Sequence, residues 1–139
     1  MSATSLSGTK EMATMTDAIL RGYRILVVED NALLATTVDS ILRSAGAEVA
    51  GPVGTLSEAE RLASRETLSG AILDIKLDCD EVWPVAGILL NRGVPFIFCS
   101  GHFDRQSLPD EWSSFPILTK PTRARQIVEG LASIIIGNP

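Results

Sequence analysis

Cysteine, histidine, aromatic residues and excess positive charge are all scarce in this sequence of 139 residues. Its two cysteines have no Cys-x-x-Cys spacing, and one histidine cannot complete a Cys/His zinc cluster. Such cysteine usage suits a reducing compartment. The 12 Lys and Arg are outnumbered by 17 Asp and Glu, for a net charge of −5. That balance argues against general affinity for nucleic acid or anionic membrane, whose phosphates are neutralised by clustered basic residues. The longest apolar runs, at Ile88-Leu90, Val94-Cys99 and Ile134-Ile136, fall far short of the roughly 18–20 residues that span a bilayer. No secretory signal stands at the N-terminus, so the expected location is cytoplasmic. What is present is a 45% hydrophobic, 21% charged composition, that of a folded domain rather than a disordered chain.

Residues 1–20 read as a mobile tail, rich in Ser, Thr and Met, and residues 21–139 as one domain. Arg24-Ile25-Leu26-Val27-Val28 is apolar on both faces, as a buried parallel strand should be. Leu34, Val38, Ile41, Leu42 and Ala45 follow helical spacing from Asn31, and Gly46 closes that helix. A short strand at Glu48-Ala50 precedes a capping box, Thr55-x-x-Glu58, opening a helix to about Thr67. Ala71-Leu73 is a third strand, ending at Asp74. Pro84 suits the first turn of a helix over Val85 to Arg92, which Gly93 ends. Val94-Cys99 and Pro116-Leu118 are the last strands, and a helix runs from about Thr122 to Ile136. Between the last two strands Pro109 leaves room for a single turn at Pro109-Trp112. Five β-α pairs imply a doubly wound parallel α/β sheet.

In such a sheet, ligands bind outside the carboxyl ends of the strands. The first strand ends in Glu29-Asp30, the third in Asp74, the fourth in Ser100 and the fifth in Thr119-Lys120. Three crowded carboxylates repel one another unless a cation sits among them, and oxygen ligands of this kind suit Mg²⁺. A hydroxyl and an ammonium facing that cation match the oxygens of a phosphoryl group.

The motifs Ile25-Leu26-Val27-Val28-Glu29-Asp30-Asn31, Leu73-Asp74-Ile75, Cys99-Ser100-Gly101 and Thr119-Lys120-Pro121 resemble, in this order, those of response regulator receiver domains. The likeness covers about Tyr23 to Ile136. It implies a flavodoxin-like five-stranded sheet of order 2-1-3-4-5, with a receiver domain over residues 21–139. Position by position, it implies that Asp74 accepts a phosphoryl group from a histidine kinase. It makes Glu29 (mostly through water), Asp30, Asp74 and the backbone carbonyl of Lys76 the Mg²⁺ ligands. Ser100 would hydrogen-bond the phosphoryl group and Lys120 would pair with its charge. The bond before Pro121 would be cis. Pro84-Val85-Ala86 and Arg92 to His102 look like a subgroup with a Phe-Ala-Thr-Gly-x-aromatic signature, associated with kinases of the HWE and related classes. That subgroup lacks the usual switch aromatic, and here Ile117 stands three residues before Lys120.

Plainer readings stand beside these. An isolated strand-end Asp more often caps a turn, but alignment with Glu29, Asp30, Ser100 and Lys120 argues for Asp74 as the acceptor. His102 is either a solvated loop residue or a neighbour of the water that would hydrolyse the phosphoaspartate. Cys79 and Cys99 read as ordinary thiols, Trp83 and Trp112 as packing residues, and Arg123 and Arg125 as a solvated helix face. The expected protein is a stand-alone, phosphorylation-activated regulator that signals by protein contact. It would be no enzyme beyond its own phosphorylation and dephosphorylation. The alternatives are a phosphate sink or phosphorelay intermediate and, more remotely, a Mg²⁺-dependent phosphohydrolase resembling the haloacid dehalogenase group. Those enzymes place a carboxylate two residues after the nucleophilic Asp, where this chain has Lys76.

Overall fold

Short apolar runs and amphipathic stretches alternate along residues 19–101 and 108–137, which the computed structural model describes. They form β1 (Arg24–Val28), α1 (Ala32–Ser44), β2 (Glu48–Val53), α2 (Leu56–Arg65), β3 (Gly70–Asp74), β4 (Lys76–Leu77), β5 (Asp80–Glu81), α3 (Trp83–Asn91), β6 (Phe96–Ser100), β7 (Ile117–Thr119) and α4 (Ala124–Ile136). A 3-10 turn at Asp110–Trp112 precedes β7. The expected tail falls almost wholly outside the described residues, as does His102.

The main sheet has the order β2-β1-β3-β6-β7 with every pairing parallel. This is the expected flavodoxin-like order; the inserted β4–β5 hairpin changes only the numbering. Strand residues alternate between two cores. Ile25, Val27, Ile72 and Ile97 pack with Leu42 of α1 and Ile127, Val128 and Leu131 of α4. Leu26, Val28, Leu73, Phe96 and Phe98 face Ala59 and Ala63 of α2 and Val85 and Leu89 of α3. Burial on both faces explains why these strands read as continuous apolar runs. Among the described residues no helix is long and apolar enough to cross a membrane.

The caps follow the sequence. Asn31 Oδ1 accepts the Leu34 N–H at 3.0 Å, and Thr55 Oγ1 accepts the Glu58 N–H at 3.3 Å. Pro84 lies in the first turn of α3. Pro109 precedes the 3-10 turn, the single turn expected after that proline, while residues 102–107 lie outside the described residues.

Several boundaries differ. β2 continues past Ala50 to Val53, through a bulge at Gly51-Pro52. α2 stops at Arg65, because Glu66 turns extended and engages Arg24, while Arg92 Nη1 donates to the carbonyls of Ala63 and Glu66. α3 begins at Trp83 rather than Val85. β6 begins at Phe96 and β7 at Ile117, each just after a proline that has no N–H to give a ladder. α4 begins at Ala124, with the Arg123 N–H donating to Gln126 Oε1 at 3.0 Å. The β4–β5 hairpin is unforeseen. Its strands are two residues each, too short for an alternating pattern to show.

Candidate functional site

β1, β3, β6 and β7 all run in one direction, so their carboxyl ends form a single rim. β1 delivers Glu29 and Asp30 just beyond its last residue, and Asp74 is the last residue of β3. Ser100 ends β6, one residue past the Asp74–Cys99 register pair. Lys120 follows β7, and its backbone N–H donates to the Ser100 carbonyl at 2.8 Å. The Lys120-Pro121 peptide is cis. Sheet registry therefore assembles residues that lie up to 91 positions apart.

The acidic pair divides its work. Glu29 is buried; its Oε2 accepts the Asn31 N–H at 3.0 Å and its Oε1 meets Lys120 Nζ at 2.7 Å. Asp30 is exposed, and its Oδ2 accepts the backbone N–H of Asp78 at 2.9 Å. Asp74 is 7% exposed, and its Oδ2 lies 3.2 Å from Lys120 Nζ. Oxygens of Glu29, Asp30 and Asp74 all fall within 4.8 Å of one another. Ser100 is buried on the adjacent strand end. Lys76 opens the hairpin two residues after Asp74 with an exposed side chain, so the role implied for it falls to its backbone.

The electrostatics show a site short of positive charge. Burial, then the charge of Glu29, pushes the Asp74 carboxyl up to about 7, against the opposing pull of Lys120. Burial alone would lower Lys120, but its hydrogen bond to Glu29 and the charge of Asp74 outweigh that and raise it. A second cation among three hard oxygen ligands would relieve this, and Mg²⁺ fits the donor set.

The other candidates are ordinary. Cys79 is exposed and Cys99 buried, both as free thiols, and burial pushes the Cys99 thiol up. Arg123 and Arg125 are exposed, and Arg125 pairs with Glu129 along the helix. Trp112 is buried, stacked on half-buried Trp83 at 6.3 Å, with Phe98 edge-on to both.

Sequence reasoning missed two participants. The Asp78 backbone holds Asp30 from the unforeseen hairpin, with Asp78 itself in the left-handed region at φ 58°. Gly54 lies against the acidic pair, and the closely spaced Gly51, Pro52 and Gly54 before a capping box were the visible signal.

The fold and site together define a doubly wound parallel domain with an acidic trio and a lysine gathered on its carboxyl rim. No family model matches the chain, and no curated protein matches it. Among solved structures, SdrG from Sphingomonas melonis Fr1 is 30% identical, with a TM-score of 0.71 over 84% of this chain and 98% of that one. The receiver domain of sensor histidine kinase PA1611 from Pseudomonas aeruginosa PAO1, with magnesium coordinated in its active site cleft, is 25% identical. Its TM-score is 0.72 over 84% of this chain and 99% of that one. A CheY-like response regulator receiver domain protein from Methanospirillum hungatei JF-1 is 24% identical, with a TM-score of 0.73 over 84% and 94%. The chain belongs to the receiver domains of response regulators.

Proposed function

We propose that this chain is a phosphorylation-activated receiver in which Asp74 accepts a phosphoryl group from the phosphohistidine of a histidine kinase. The observation that carries this reading is the placement of Asp74. It is buried at the end of β3, 3.2 Å from Lys120 Nζ and within 4.8 Å of the Glu29 and Asp30 oxygens. An Asp74 oxygen attacks phosphorus as the P–N bond breaks. The imidazole nitrogen leaves with the electron pair and takes up a proton, and Asp74 becomes an acyl phosphate. Hydrolysis reverses the modification when water adds to phosphorus and the carboxylate leaves. The chain is no enzyme beyond these two reactions on itself.

Asp30, Asp74 and the Lys76 carbonyl would hold Mg²⁺ directly and Glu29 through water. The ion supplies charge that offsets the phosphoryl oxygens. The magnesium in the PA1611 cleft supports this assignment. Lys120 pairs with the phosphoryl charge and Ser100 hydrogen-bonds its oxygen. Ile117 is half-buried against the aromatic core and offers no ring to reorient. This supports the subgroup without a switch aromatic, and with it a kinase of the HWE or related class. The output is a protein contact in the cytoplasm.

Incubation with a small phosphodonor and Mg²⁺, followed by intact mass, tests the reading. One phosphoryl adduct on the wild type and none on Asp74→Ala is expected. An adduct that persists in Asp74→Ala would overturn the assignment.

A further inference from the structure

Two glycines in the segment bordering the acidic pair stand where a side chain has no room. Leu26 pairs with Ala50, but Val28 pairs with Val53, so two steps along β1 correspond to three along β2. The extra residue falls at Gly51-Pro52. Gly51 has φ +94°, and a Cβ there would lie 2.9 Å from the Val53 nitrogen and 3.1 Å from the Val27 carbonyl. Bulges of this kind bend a strand and redirect the chain beside functional sites. Here the Val53 carbonyl accepts the Glu29 N–H at 2.9 Å. Gly54 then passes over the Glu29–Asp30 backbone, where a Cβ would lie 3.1 Å from Asp30 Cα and 3.3 Å from the Glu29 carbonyl.

Gly54 is pinned on both sides. Val53 is fixed by Glu29, and Thr55 is fixed as the cap of α2, its carbonyl accepting the Ala59 N–H at 3.0 Å. Asp30 is exposed and lies beyond the end of β1. A methyl group at position 54 would therefore be accommodated by movement of Asp30, not by retreat of the β2–α2 connection.

We propose that Gly54 is a positioning residue for the cation site, its bare Cα setting where the Asp30 carboxylate stands relative to Glu29 and Asp74. The proposal rests on the reading of that trio as a Mg²⁺ site. Gly54 touches neither cation nor phosphoryl group and acts through the Glu29–Asp30 backbone.

The test compares wild type, Gly54→Ala and Gly87→Ala by Mg²⁺ calorimetry, thermal midpoint and amide NMR shifts of the metal-free proteins. Gly87 is the control, because a Cβ there meets nothing within 4 Å. Gly54→Ala should weaken Mg²⁺ binding about tenfold, as loss of an outer support for a metal ligand does. Its metal-free shifts should concentrate at Glu29, Asp30 and Asn31, with little change in midpoint, while Gly87→Ala should bind as wild type does. Wild-type affinity with unmoved Glu29–Asn31 amides would overturn the proposal, and so would an equal loss in Gly87→Ala. If Gly54→Ala does not fold, the same shifts are read in an Asp74→Asn background, where carboxylate repulsion is relieved. A wild type that takes up no Mg²⁺ would sink the functional reading, and the metal-free shifts would then decide the positioning role by themselves.

Discussion

Lys120 holds Glu29 more closely than it holds Asp74, with Nζ 2.7 Å from Glu29 Oε1 and 3.2 Å from Asp74 Oδ2. The ammonium is thus shared, and Asp74 receives the weaker part. Removing it takes away the positive charge that lowers the Asp74 carboxyl. Lys120→Gln should raise the Asp74 titration midpoint from about 7 by about one pH unit or more, the effect of losing an opposite charge at this range. A carboxyl ¹³C titration in metal-free buffer reads it. An unchanged or lower midpoint would contradict the arrangement.

The raised Asp74 carboxyl also links stability to pH. Its folded-state value of about 7 exceeds the ordinary 3.8, so the folded chain holds this proton more tightly than the unfolded one. Its contribution is most favourable below about pH 4 and is lost as pH rises through about 7. Asp74→Asn, which has no charge to bury, should therefore gain in midpoint over wild type between those limits and stay ahead above them. The rise from 3.8 to about 7 sets an upper bound of about 4 kcal/mol on this relief, and each kcal/mol corresponds to about 4 °C for a chain of this size. Mg²⁺ should narrow the gap by stabilising the wild type. Asp30→Asn should gain less, because Asp30 is exposed and an amide oxygen can still accept the Asp78 N–H. Thermal melts from pH 4 to 8, with and without Mg²⁺, check all three.

The sheet order and the rim residues were legible because each signal is local and repeated. An apolar run ends in a chemically distinctive residue, four times over, and parallel topology puts all four ends on one edge. The turn at Asp110–Trp112 was legible because Pro109 suits the start of a helical turn and cannot lie inside a helix that runs through it. Other features were not. A two-residue strand carries no period, so the β4–β5 hairpin left no trace. The hold of Asp78 on Asp30 is a hydrogen bond from a backbone N–H to a side-chain carboxylate spanning 48 positions, and no local sequence pattern announces it. The bulge in β2 reflects an extra residue relative to β1, a relation between two strands that neither contains by itself.

The aromatic core behind Ser100 gives a further prediction. Phe96, Phe98 and Ser100 alternate along β6, and Phe98 touches both Trp83 and Trp112 at centroid distances of 5.5 and 6.2 Å. Trp112 is 5% exposed, whereas Trp83 is half-buried. Trp112→Ala should cost about 3–5 kcal/mol, the range for deleting a buried large aromatic, and Trp83→Ala clearly less. Urea denaturation measures both. Equal losses would mean that the two rings do not differ in how they support Phe98.

Asp78 combines two demands at the tip of the hairpin. Its N–H must reach Asp30 Oδ2, and its φ of 58° lies in the left-handed region. Asp tolerates that region better than most residues, and glycine tolerates it without steric cost. Asp78→Gly keeps the N–H and relieves the backbone, so it should leave Mg²⁺ affinity near wild type with an equal or slightly higher thermal midpoint. Asp78→Val keeps the N–H in name, but its β-branched side chain opposes the left-handed conformation by roughly 1–2 kcal/mol. The backbone should then swing out and carry the donor away from Asp30. Lower stability together with weaker Mg²⁺ binding is expected for Val, and neither for Gly. Calorimetry paired with thermal melts separates the backbone effect from the loss of the Asp78 charge, which both variants share. If Gly and Val weakened Mg²⁺ binding equally, the Asp78 carboxylate rather than its N–H would be what supports the site.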